Sequence, residues 1–66
     1  MKFTNEIKMA MLNKRITQGE LAKRLQTSPQ SLSNKMKSDN WRLNDLNDIA
    51  AALDVKLIVK LDDIAI

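Results

Sequence analysis

Apolar residues recur along most of this chain at helical spacing, and the interruptions between them carry capping chemistry. Phe3, Ile7, Ala10 and Met11 fall on one face, with Thr4 or Asn5 in position to cap the start, which predicts a first helix over residues 4–13. Thr17 followed by Gln18-Gly19-Glu20 has the form of a capping box, a hydroxyl accepting one free N–H while the glutamate reaches back. A second helix therefore starts there and carries Leu21, Ala22 and Leu25 on its apolar side, until Gln26-Thr27 forces a turn.

Ser28-Pro29 marks a third start, because serine is a favoured N-cap and proline is tolerated at the first helical position. Leu32 and Met36 form a thin core stripe, and the rest of this third helix is polar or cationic. Ser38-Asp39-Asn40 has turn chemistry, after which Leu43, Leu46, Ile49, Ala50 and Leu53 trace a fourth helix over about residues 44–53. Beyond Asp54 the period becomes two: Val55, Leu57, Val59 and Leu61 alternate with Lys56, Ile58 and Lys60, which predicts a C-terminal strand over residues 55–61. A lone strand leaves its backbone groups unpaired, so it should find a partner.

The expected fold is mainly α: a single domain over residues 1–66, with a helical part over 1–54 and one terminal strand. No repeat or linker divides it, Gly19 and Pro29 being the sole glycine and proline. At 66 residues it lies near the lower limit for a core without staples, so oligomerisation is an expected source of added stability. The absence of cysteine excludes disulfides and thiolate metal sites, and fits a reducing cytoplasm. Nothing in residues 2–14 reads as a signal peptide, and no stretch is long and apolar enough for a membrane span.

Charge sharpens the picture. Residues 1–42 hold nine Lys/Arg against three Asp/Glu, whereas residues 43–66 hold two against five. The cationic part suits a polyanion. Within it the third helix carries Gln30, Ser31, Ser33, Asn34, Lys35 and Lys37 and no acid. Inert helix surface would normally include glutamate.

Two helices joined by a tight turn, with small Ala22 in the first and a polar second helix, match a helix-turn-helix. Residues 17–37, TQGELAKRLQTSPQSLSNKMK, resemble the lambda-repressor-like family of Cro proteins, phage repressors and XRE regulators. The likeness rests on Thr-Gln-x-Glu-Leu-Ala from Thr17, Ser-x-x-x-Leu-Ser from Ser28 and Ile-Ala-x-Ala-Leu from Ile49, and extends more loosely over residues 3–53. Two positions depart from the family pattern: Gln26 replaces the usual glycine before the third helix, and Asp39-Asn40 replace the glycine that ends it. Asparagine tolerates left-handed backbone well.

The resemblance implies a four-helix DNA-binding domain whose third helix lies in the major groove of double-stranded DNA. Gln30, Ser31 and Asn34 would read base edges, with Lys35 adding a contact. Gln18, Lys14, Lys37, Asn40 and Arg42 would hold phosphates. Lys23 and Arg24 read as solvent-facing, Leu32 and Met36 as core. Trp41 reads as a lid over the third and fourth helices with its indole N–H near the surface, a phosphate contact being the sharper alternative.

The function so implied is an operator-binding repressor that works as a homodimer joined through Val55, Leu57, Val59 and Leu61. An antitoxin that controls its own operon and meets a second small protein through the terminal strand is one alternative; a protein-interaction module with the same fold is another. An RNA role ranks low, since stacking aromatics are lacking. With no histidine or cysteine, and Asp62-Asp63 reading as exposed carboxylates, no enzyme activity, metal or cofactor is expected.

Overall fold

Among the described residues four helices form along the apolar stripes: α1 Thr4–Lys14, α2 Gln18–Arg24, α3 Pro29–Ser38 and α4 Leu43–Leu53. The computed structural model describes residues 1–58. α2 packs on α3 and α4, and α1 closes against α4. Ala22, fully buried, lies in α2, and Trp41, Leu21, Leu32, Leu46 and Leu53 are the least exposed large side chains among the described residues.

The starts of α2 and α3 follow the sequence. Thr17 Oγ1 accepts the Glu20 N–H at 3.1 Å, and Ser28 Oγ accepts the Ser31 N–H at 3.1 Å with Pro29 at the first helical position. Glu20 does not complete the expected box; its carboxylate turns one helical turn onward to the Arg24 Nε at 3.3 Å.

The start of α1 differs from expectation. Neither Thr4 nor Asn5 caps it: Phe3 is the N-cap residue and its side chain offers no acceptor. The acceptor comes from the far end of α3, where the Asp39 carboxylate takes the Phe3 N–H at 2.8 Å and the Thr4 N–H at 2.9 Å. Thr4 instead turns inward and is buried.

Each of the four helices is followed within two residues by a left-handed residue that is not glycine: Arg15, Gln26, Asp39 and Asp54, with φ between 51 and 57°. After α1, α2 and α4 the same two bonds satisfy the last carbonyls. At Gln26, for example, its N–H donates to Lys23 O and that of Thr27 to Ala22 O.

Two expectations are corrected here. Trp41 is a core residue with its indole N–H buried, donating to Thr4 Oγ1 at 2.9 Å, so that N–H is neither near the surface nor free for a phosphate. The terminal strand is not formed over residues 55–58. The Val55 N–H is used in ending α4, donating to Ala50 O, and Val55 and Leu57 pack against the chain's own core while Lys56 and Ile58 are exposed. Alternation is retained, but no ladder accompanies it among the described residues. Val59 and Leu61, the rest of the expected strand, lie outside them.

Candidate nucleic-acid interface

At 100° per residue, burying Leu32 and Met36 fixes which side chains α3 turns outward. Gln30, Ser31, Asn34 and Lys37 share that face and are exposed. Gln30 and Asn34 stand one turn apart with Nε2 and Oδ1 at 3.4 Å, so the two amides form one polar strip. Ser31 Oγ accepts a hydrogen bond from Ser28 Oγ at 2.9 Å, which ties the first turn together. No acidic residue occupies that turn, and Lys35 and Lys37 occupy the last, where they oppose the negative end of the helix dipole.

Lys35 departs from this strip. It lies on the flank toward α4, where its ammonium donates to Asp45 Oδ1 at 2.9 Å. Sequence reasoning missed Ser38, which is exposed on the same outward face and donates to Lys35 O at 3.1 Å. Its spacing of four from Asn34 and eight from Gln30 was the available signal.

Apart from Lys37 on α3, the residues expected to meet phosphates lie at two junctions between helices. Lys14 ends α1 and Gln18 begins α2, with Lys14 exposed and Gln18 half-buried. Asn40 and Arg42 stand in the loop directly after α3, both exposed, with Arg42 as the N-cap residue of α4. This loop is held from below. Asp39 Oδ1 accepts from Thr4 Oγ1 at 2.8 Å besides its two backbone bonds, and the Trp41 N–H donates to Met1 O at 2.9 Å. The Asp39 carboxyl is accordingly held at about 2, below its ordinary 3.8, first by the Thr4 hydroxyl and then by the Thr4 and Phe3 N–H groups. Asp45 is also lowered, chiefly by the Lys35 hydrogen bond and next by the Arg42 N–H.

The described residues contain no cluster of acidic, histidine or cysteine side chains able to hold a metal ion, and none of their helices is long and apolar enough to cross a membrane. Amides, hydroxyls and ammonium groups on a convex helix suit recognition of an anionic polymer with hydrogen-bonding edges.

No curated protein and no solved structure matches the chain. The family model of the Cro/C1-type HTH DNA-binding domain matches residues 6–58, which include all four helices apart from the first two residues of α1. With four-fifths of its length so matched, and a polar α3 packed on α2, this chain belongs to the Cro/C1-type HTH DNA-binding domain family.

Proposed function

We propose that the protein is a sequence-specific, double-stranded-DNA-binding transcription regulator, a small repressor that occupies an operator with α3 in the major groove. The observation that supports this reading is the outward face of α3, where Gln30, Ser31, Asn34 and Lys37 are exposed together and no carboxylate joins them. An amide offers one donor and one acceptor, the pair that adenine N7 and N6 complement. Gln30 and Asn34 are thus the main readers, and Ser31 is a shorter-range contact. Lys35 takes a lesser part, because Asp45 already engages its ammonium. Gln18, Lys14, Lys37, Asn40 and Arg42 hold the phosphates, which sets register without specifying sequence.

One such domain reads few base pairs, so in this reading two copies sit on half-sites about one helical turn, roughly 34–36 Å, apart. Residues 55–61 join them: Val59 and Leu61 pair between chains, while Val55 and Leu57 brace the joint from within each core. Selecting bound duplexes from a random pool tests the whole reading. An enriched inverted repeat with adenines in each half is expected; a pool that stays random contradicts it. Sedimentation of the Val59→Asp, Leu61→Asp chain tests the joint, with an unchanged dimer ruling it out.

A further inference from the structure

Lys35 and Asp45 both line a cleft of about 570 Å3 bounded by α3, α4 and the turn after α2, whose walls include Ser31, Trp41 and Asp48. The pair is anchored at its acidic end. Asp45 Oδ1 takes the Lys35 ammonium at 2.9 Å, while Oδ2 takes the Arg42 N–H at 3.1 Å at the start of α4. The Asp45 side chain is 23% exposed and that of Lys35 is 51% exposed, so a doubly hydrogen-bonded, half-sheltered acid holds a more open base.

The placement matters because of what adjoins it. Asn34 directly precedes Lys35, and Ser31 lies one turn back, both on the face proposed to meet bases. Arg42, whose backbone fixes Asp45, is among the proposed phosphate ligands. A free ammonium here, on a four-carbon stem with three donors, would reach phosphate oxygens on any duplex, whatever its sequence. Sequence-independent binding is carried almost wholly by such cation–phosphate contacts. Asp45 has no other basic side chain within ion-pair distance among the described residues.

We infer that Asp45 withholds Lys35 from DNA, so that the Lys35–Asp45 ion pair is a built-in restraint on sequence-independent binding. Asp45 is then a positioning residue for the DNA-facing surface, acting through Lys35 and touching no nucleotide itself. This rests on the reading of α3 as a DNA-binding helix. The pair subtracts one cation from the surface that any duplex meets, and leaves Gln30, Ser31 and Asn34 to discriminate.

The test is the salt dependence of binding to a duplex of arbitrary sequence, followed by anisotropy from about 50 to about 200 mM salt. Three proteins are compared: the unaltered chain, Asp45→Asn, and Asp45→Asn with Lys35→Gln. Asparagine keeps an oxygen for the Arg42 N–H, and Trp41 emission reports folding; Asp45→Ser takes its place should the asparagine variant unfold. Release of Lys35 steepens the log–log slope by about 0.9, so that the gain in affinity shrinks about 3.5-fold across that salt range. Adding Lys35→Gln is expected to restore the original slope. A slope unchanged by Asp45→Asn overturns the inference, as does a steepening that survives Lys35→Gln, which would belong to the lost aspartate charge alone. An unaltered chain that binds no duplex at any salt removes the DNA reading and this inference together. Binding with a slope indifferent to Asp45 removes only the latter.

Discussion

Replacing Thr4 by valine keeps the shape of a buried side chain and deletes one oxygen, and that oxygen is the junction between α1 and the loop after α3. It accepts the Trp41 indole N–H at 2.9 Å and donates toward Asp39 Oδ1 at 2.8 Å and Met36 O at 3.2 Å. Thr4 is 7% exposed and Trp41 2%, so no water can take its place without the packing opening. In Thr4→Val the indole N–H stays buried and loses its acceptor, which costs about 1–3 kcal/mol. A domain of this length holds roughly 3–10 kcal/mol in all, so the loss is a large fraction. At the middle of that range the melting temperature falls by roughly 8–16 °C. Thermal unfolding followed by Trp41 fluorescence measures it, with Thr4→Ser alongside. Serine keeps the oxygen and loses one methyl, about 1 kcal/mol. The expected order is parent, serine, valine. Valine melting at or above serine would refute the junction.

Three further outcomes follow from the same geometry. The Asp39 carboxyl is lowered on folding, so its contribution to stability is full above its ordinary value of 3.8 and is lost as pH falls toward about 2; Asp39→Asn, which also suits the left-handed backbone there, should flatten the acid limb of stability against pH in that window. An acid limb as steep as the parent's in urea titrations would remove Asp39 as its source. Gln26 has φ 57°, a conformation that glycine adopts without strain, so Gln26→Gly should be neutral to stabilising by about 1 kcal/mol despite glycine's greater freedom when unfolded, as calorimetry would show. Ala22→Leu forces a side chain into a fully buried position of α2 and should cost at least about 1–3 kcal/mol, read from the denaturant midpoint.

Much of the helical frame was legible because its signals are local. Thr17, Ser28 and Pro29 announce helix starts through chemistry complete within four residues, and the Leu32–Met36 stripe fixes the outward face of α3 without reference to other elements. What was not legible depends on pairs distant in sequence. Asp39 reads as a turn residue, yet it caps α1 some 35 residues back, and Trp41 reaches Thr4 across 37. The ion pair between Lys35 and Asp45 spans ten residues and two helices. Helix ends carried a weaker signal for another reason: the single glycine lies inside α2, while four residues with side chains take the left-handed positions. The terminal strand shows the limit of periodicity. Alternation over residues 55–58 reports which side chains are sheltered, and Val55 and Leu57 are sheltered by their own core, which says nothing of a neighbouring strand.

The central claim is that the amides of α3 read base edges, and it is tested most directly by the affinity of Gln30→Ala, Asn34→Ala for a duplex selected by the parent protein. With folding verified by an unchanged melting temperature, each lost bidentate contact should cost about 1–3 kcal/mol, lowering affinity by one to several powers of ten for the selected site and far less for an arbitrary one. Equal affinity of parent and double variant for the selected duplex would contradict it.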